Sequence, residues 1–330
     1  MESKEKKVAI MQNGQRAVRP KLALCNIFLD VGKLKAFALD YGFSGIDWSF
    51  DVDTLPATPG QESSCVQNLS VLRPIEVRYH CPFNRIDLGH SDPWQAKEAE
   101  TIFRRIIRLV SKAKGKYLTI HIGLGHDSTE PLSWEASIDN LRRLVQYGAN
   151  LGVRVCLENL AWGWTSRPHL FEKLIRRSGA AVTFDIGHAH ACDSVCSHHY
   201  AIEDFVAPHS DRVFNAHIYH TERSGLGHVA PDRIEDIEDR LALLQEVGCE
   251  WWVIEIKEVD RLLQTKEIVQ KYLIRYTSQS ESASAGPTAS LTSRGHGLGA
   301  QGNFGTEGPS GQMSLQVSDE HYPHSSGRSR

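Results

Sequence analysis

Apolar and polar positions alternate along this chain in two rhythms. Segments of five or six residues with a two-residue period occur at Leu22–Ile27, Gly45–Ser49, Ile75–His80, Tyr117–Ile122, Val153–Glu158, Ala181–Asp185, Val213–His217 and Trp251–Ile256. They read as β-strands. Between them lie longer stretches whose apolar residues recur three or four apart, clearest over Pro93–Lys114, Ser133–Leu151 and Asp232–Val247. These read as amphipathic helices. A weaker one, rich in Ser and Gln, covers Pro59–Leu72. Asp232, directly after Pro231, is placed to cap its helix, and Gly152 and Gly248 stand where helices should stop. Eight strands alternating with helices predict an α/β protein, a (β/α)8 or TIM barrel, over residues 20–276.

The parity of the strands separates two faces. Val77 and Tyr79, Leu118 and Ile120, Val155 and Leu157, Val182 and Phe184, Phe214 and Ala216, and Trp252 and Ile254 form an apolar set expected to meet the helices. The opposite face carries Glu76, Arg78, Thr119, Arg154, Cys156, Thr183 and Asn215. A polar barrel interior is costly unless its groups are paired, so its presence points to a polar site at the mouth.

Composition trims the alternatives. Thirty-seven Lys and Arg against forty Asp and Glu give a net charge of −3, which leaves no basic excess for a general nucleic-acid binder. No apolar run approaches the length of a membrane helix. The charged start, MESKEKK, has no secretory core, and seven cysteines is an odd number, so reduced thiols in a cytoplasmic protein are expected. From Thr277 to Arg330, 12 of 54 residues are Ser and 9 are Gly, with few large apolar residues. That segment is expected to be a disordered tail, and residues 1–19 a loose arm.

The candidate chemistry lies at the carboxyl ends of the third to eighth strands. In order these are His80 (RYHCPF), His121 (TIHIG), Glu158 (CLENL), Asp185 (TFDIGHAH), His217 (NAHIYH) and Glu255 (VIEIK), spaced 41, 37, 27, 32 and 38 residues apart. Each gap is about one strand–helix unit, and each residue has inward parity. A barrel brings such strand ends to one mouth. Three carboxylates that close could not all stay ionised without a cation. Glu158, Asp185, His217 and Glu255 make an oxygen-rich set with one imidazole. It suits Mn, Mg or Co, with Zn also admissible.

The ordered series LEN, FDIGHAH, NAHIYH and IEI resembles the xylose isomerase-like TIM-barrel superfamily over about residues 20–275. That group includes sugar and sugar-phosphate isomerases and epimerases, inosose dehydratases, and zinc-dependent apurinic-site endonucleases. In its epimerases the positions matching Glu158, Asp185, His217 and Glu255 hold one divalent metal. The two glutamates there also move the proton next to a carbonyl, by way of a metal-stabilised enediolate. The resemblance assigns substrate contacts to His188 and Arg223. It implies an isomerase or epimerase of carbohydrate metabolism with a small polyhydroxylated substrate, and an association of copies into a homo-oligomer is compatible with it.

In the endonucleases, positions matching His80, His121 and Glu158 hold a further zinc, and His188, an Asp and His228 hold a third. The residue two before His228 is Leu226, which offers no ligand, although the carboxylate of Glu222 is near. His80 and His121 remain either a second metal position or hydrogen-bond donors to substrate, with His228 also facing substrate. Trp162, in ENLAWGW, either closes over a sugar ring or anchors its loop. Gly123 and Gly125 in HIGLGH have the form of a phosphate-cradling turn, and Cys192 and Cys196 lack the second pair a zinc site needs. An endonuclease-like phosphodiesterase and a dehydratase-like lyase are the alternative functions.

Overall fold

The computed structural model describes residues 19–284, with side chains through Tyr276; the arm expected before Arg19 and the segment from 285 onward lie outside the described residues. The barrel strands are β1 (Lys21–Cys25), β2 (Gly45–Ser49), β3 (Glu76–Cys81), β4 (Tyr117–Ile120), β5 (Arg154–Glu158), β6 (Ala181–Asp185), β7 (Val213–Ile218) and β10 (Trp251–Ile254). They close in the order β1-β10-β7-β6-β5-β4-β3-β2, and every adjacent pair is parallel. The expected TIM barrel is therefore the fold. Two short strands that the alternation did not predict, β8 (Thr221–Arg223) and β9 (Gly227–Val229), form an antiparallel hairpin after β7.

The helices are α1 (Val31–Asp40), α2 (Pro59–Ser70), α3 (Pro93–Lys112), α4 (Trp134–Asn150), α5 (Pro168–Ser178), α6 (Ile186–Ala191), α7 (Asp193–Cys196), α8 (Glu238–Glu246) and α9 (Val259–Ser284). Local chemistry sets their ends. Asp92 accepts from the Trp94 amide and Ser133 from the Ala136 amide, which satisfies free N–H groups of α3 and α4. Thr58 and Gln61 close a reciprocal capping box on α2, the weakly patterned helix, of which Leu69 is the buried residue.

Three expectations are corrected. Asp232 does not cap α8: the Asp236 carboxylate accepts from the amides of Asp232 and Arg233, a separate turn forms at Ile234–Asp236, and the helix begins only at Glu238. The last helix runs on to Ser284, into the segment expected to be disordered from Thr277. Phe214 does not belong wholly to the outer face. The β6–β7 register slips between Val182↔Val213 and Thr183↔Asn215. A slip of this kind re-aims side chains, and the Phe214 ring lies under the Arg154 guanidinium (3.9 Å) and near Tyr117 (5.9 Å).

The rest of the parity holds. Tyr79, Leu118, Ile120, Val155, Leu157, Val182, Phe184, Ala216, Trp252 and Ile254 are buried in the main apolar core. Inside the barrel, Arg78, Thr119, Thr183 and Asn215 bond to one another. Among the described residues, no helix is long and apolar enough to cross a membrane.

Candidate metal centre

Six strands deliver the expected side chains to one place. Glu158 and Asp185 are the last residues of β5 and β6, His80 and His217 lie in β3 and β7, and His121 and Glu255 follow β4 and β10 directly. His217 Nδ1 is the focus: it stands 3.0 Å from Glu158 Oε1, 2.9 Å from Glu255 Oε2 and 3.7 Å from Asp185 Oδ2. One ligand atom from each of Glu158, Asp185, His217 and Glu255 falls within 4.8 Å of the others. His121 Nε2 and His80 Nε2 approach Glu158 Oε2 at 3.1 and 3.4 Å and each other at 3.3 Å, forming a second group that shares Glu158.

Sequence reasoning missed Asp47. It lies in β2, paired in register with Arg78 of β3, and its Oδ2 is 3.6 Å from His80 Nδ1. Asp47, His80 and His217 form a third group of ligand atoms. The available signal was its inward parity. The series of strand-end residues starts at the third strand, whereas Asp47 stands mid-strand.

The electrostatics follow from crowding in a dry place. Burial opposes charge on His217, yet the Glu158 and Glu255 carboxylates outweigh it and hold the imidazole protonated well above the usual histidine range. Burial likewise opposes charge on Glu158, and His217 and His121 overcome it, holding the carboxyl well below its usual range. Glu255 is held down in the same sense by His217 and His228. Burial lowers His80 to about 3 and, with the carboxylates of Glu255 and Glu158 adding to it, raises Asp47 to about 7. The His217 proton is thus shared by several carboxylates. A cation and that proton are alternatives at the same nitrogen, because a histidine ligand must be neutral at the coordinating atom.

The donor set fits a divalent cation. Buried Asp47 Oδ1, His80 Nδ1, Asp185 Oδ2 and His217 Nε2 have no hydrogen-bond partner among protein groups. Such orphans are rare unless something else satisfies them. Hard oxygen donors with one imidazole match Mn, Mg, Co or Zn.

A family model described as a xylose isomerase-like TIM barrel matches residues 36–273. The chain belongs to this family. A curated relative, an uncharacterised protein of Methanocaldococcus jannaschii, is 28% identical over 201 residues, covering 61% of this chain and 81% of its own. Among solved structures, an L-ribulose 3-epimerase superposes with a TM-score of 0.62 at 14% identity, over 83% of this chain and 100% of its own. The IolI protein with a bound zinc atom superposes with a TM-score of 0.59 at 15% identity, over 79% of this chain and 99% of its own. At these identities the two structures share the fold with this chain.

Around the centre of this xylose isomerase-like barrel, His188 lies in the first turn of α6, and its amide donates to Asp185 Oδ1 at 2.7 Å. Its Nε2 faces Asp185 Oδ2 at 3.8 Å and Glu158 Oε1 at 4.0 Å, while Nδ1 meets Glu222 Oε2 at 2.9 Å. Burial opposes the imidazolium, but Asp185 and the Glu222 bond raise it to about 9. Gly187 has no side chain for a steric reason, since a Cβ there would lie 2.1 Å from the Tyr219 ring. That ring stacks on His228 at 4.0 Å, and His228 Nδ1 lies 3.0 Å from the Glu255 carbonyl oxygen.

The hairpin therefore presents Glu222 and His228 to the centre. Arg223, the neighbour of Glu222, is exposed, and Leu226 at the tip is 73% exposed. Glu222 is the carboxylate that reaches His188. Trp162 is half-buried, with its ring 3.6 Å from where a Cβ on Gly123 would stand. The Gly123 turn does not offer its amide to a phosphate: both oxygens of buried Asp87 already accept from it, at 3.0 and 2.9 Å. The seven cysteines are free, and Cys192 Sγ donates to the Ala189 carbonyl.

Proposed function

We propose that this chain is a divalent-metal-dependent sugar isomerase or epimerase that moves a proton on a carbon next to a carbonyl. The observation that carries this reading is the convergence of Glu158 and Glu255, from strands on different sides of the barrel, on His217 Nδ1. Asp185 completes the ligand set. When bound, the cation would polarise the substrate carbonyl and offset the charge that develops on its oxygen.

The remaining steps belong to the chain's own residues. Glu158 and Glu255 each meet His217 Nδ1 through one oxygen and keep a second carboxylate oxygen that can take or return a proton, so a base is available from two directions. His188, held by Glu222, presents Nε2 as a donor to a substrate oxygen. Trp162 gives an aromatic wall for the C–H face of a sugar. The substrate class is a small polyhydroxylated carbonyl compound. Expulsion of water by the same bases is the lyase variant of this chemistry.

One observation favours a second reading. His80, His121 and Glu158 could take another cation beside the first, as a metal-dependent phosphodiesterase would require. The net charge of −3 counts against DNA as its substrate.

The test is solvent-proton exchange. The chelator-treated protein, reloaded with Mn²⁺, Mg²⁺, Co²⁺ or Zn²⁺, is incubated with a panel of 2-ketohexoses in D₂O. Deuterium should enter a carbon adjacent to the carbonyl, exchange should stop on chelation, and Glu158→Gln should slow it at least about a thousand-fold. Exchange at the wild-type rate in Glu158→Gln removes Glu158 from the chemistry. Nicking of abasic DNA without exchange establishes the second reading.

A further inference from the structure

Arg240, in α8, shares the helical stripe of Ile237, Leu241 and Leu244, although an arginine is almost never fully buried unless it is paired. In the structure it is 2% exposed. Its guanidinium lies inside the wall of the barrel and is occupied by backbone carbonyls. Nη1 donates to the Ile186 oxygen at 3.2 Å and to the His220 oxygen at 2.6 Å, and Nη2 donates to the Asp236 oxygen and faces His220 Nδ1 at 3.4 Å. Its nearest carboxylate, Asp239, is 3.6 Å from Nε and largely exposed, so the buried charge is met chiefly by carbonyl dipoles.

The positions of those carbonyls matter. Ile186 directly follows Asp185 and starts α6, which carries His188. His220 is three residues past His217 and is the root of the hairpin, its amide donating to the Val229 oxygen at 2.8 Å. The hairpin brings Glu222 to His188 and His228 to the Glu255 carbonyl. One planar cation therefore joins the chain leaving Asp185 to the chain leaving His217. Tyr219, over Gly187, closes the same junction from the other side. A guanidinium suits this task because its fixed fork of donors serves several acceptors at once, whereas an ammonium is a single flexible point.

We propose that Arg240 is a positioning residue of the metal centre: by tying the Ile186 and His220 carbonyls together it fixes Asp185, His217 and the His188–Glu222 pair in the arrangement that receives the cation. This rests on the metal-centre reading above. Partners that orient ligands without touching the metal typically change metal affinity 10- to 100-fold when removed.

The experiment measures Mn²⁺ binding alone, by calorimetry and by the electron paramagnetic resonance signal of free Mn²⁺, on the full-length chain. Arg240→Met should weaken binding about 10- to 100-fold, and Arg240→Lys should fall between it and the wild type. Arg240 also lines a cavity of about 540 Å³ with His190, Cys196 and Asp204, which gives a small cation a way in. Guanidinium at tens of millimolar should therefore recover part of the loss in Arg240→Ala and leave the wild type unchanged.

Leu244→Ala is the control. Leu244 is fully buried in α8 and belongs to the apolar core, so its truncation should lower the melting temperature while keeping Mn²⁺ affinity within about two-fold. Arg240→Met with wild-type affinity overturns the proposal. So does a loss in Arg240→Met no greater than its loss of stability produces in Leu244→Ala. If Arg240→Met does not fold, Arg240→Lys carries the same comparison. A wild-type chain that binds no Mn²⁺ overturns the metal centre, and the role of Arg240 with it.

Discussion

Two levels of the barrel interior are polar, and they are built in opposite ways. At the lower level, Arg78 donates to Asn215 Oδ1 (2.5 Å) and the Phe214 oxygen (2.7 Å), and its guanidinium lies over the rings of Tyr117 and Trp251 at 3.9 and 4.4 Å. Thr119 and Thr183 share a hydrogen bond of 2.8 Å, and Asn215 Nδ2 donates to both. Two residues further along the same strands stand His80, His121, Asp185 and His217. Around them the carboxylates of Asp47, Glu158, Asp185 and Glu255 crowd together, and buried oxygens of Asp47 and Asp185 remain without protein partners. A polar cluster that satisfies itself holds a fold together. A polar cluster that does not is a place where the fold has given up stability for a ligand.

The sharpest way to break this contrast is to alter one residue at each level and read metal affinity and stability together. At the upper level, Asp185→Asn removes the charge of a proposed ligand but keeps an oxygen that can still accept from the His188 amide. Mn²⁺ affinity should fall about a thousand-fold, since a carboxylate ligand is lost outright. The metal-free protein should melt no lower than the wild type, because one of several crowded carboxylates is gone. Calorimetric titration and a melting curve in chelator check both. A metal-free protein that loses several kcal/mol would show Asp185 to be a structural acid.

At the lower level the expected pattern is the reverse. Arg78→Met leaves Asn215 Oδ1 and the Phe214 carbonyl without their donor and removes the cation from two rings. The cost should be about 4 kcal/mol, from two orphaned acceptors and the lost cation–π contacts. Mn²⁺ affinity should stay within about two-fold. Urea unfolding gives the first number and titration the second. A matching collapse of metal affinity would mean that the two levels form one cooperative unit.

This layering explains what could be read from the sequence and what could not. Strand parity is strictly periodic, so the inward residues at the ends of β3 to β7 and β10 were legible in order, down to the meeting of Glu158, Asp185, His217 and Glu255. Asp47 was overlooked because the weakest repeat surrounds it and it stands mid-strand. Phe214 was misplaced because a register slip in β6–β7 leaves no mark in an apolar–polar pattern. Arg240 was invisible for a different reason. Its charge assigns an arginine to solvent even on the stripe of Leu241 and Leu244, and only the tertiary arrangement supplies the carbonyls that make its burial tolerable. Glu222 was noted only as a nearby carboxylate, since the short hairpin that aims it at His188 has no signal of its own.

The smallest expected effect tests where the boundary between the two kinds of polar cluster runs. Asp87, in the loop after β3, is buried, and burial raises its carboxyl to about 7 even though the Gly123 amide bond opposes the shift. His126 Nε2 stands 3.2 Å from its Oδ2, and His121 of the neighbouring strand also faces it electrostatically. The sign follows from proton uptake. The unfolded carboxyl loses its proton near pH 4, whereas the folded one keeps it to about pH 7, so the folded state binds more protons across that window and stability falls as pH rises. A shift of that size corresponds to about 4 kcal/mol at most, and relaxation of the loop should leave roughly half. Asp87→Asn, which mimics the protonated acid, should match the wild type near pH 4 and exceed it by about 2 kcal/mol at pH 8 in metal-free urea titrations. A difference that does not vary with pH would mean that Asp87 is ionised in the fold and satisfied by His126 and Gly123. Asp87 would then belong with Arg78 and Asn215 rather than with Glu158, and the self-satisfied part of the interior would reach the rim on the β3–β4 side.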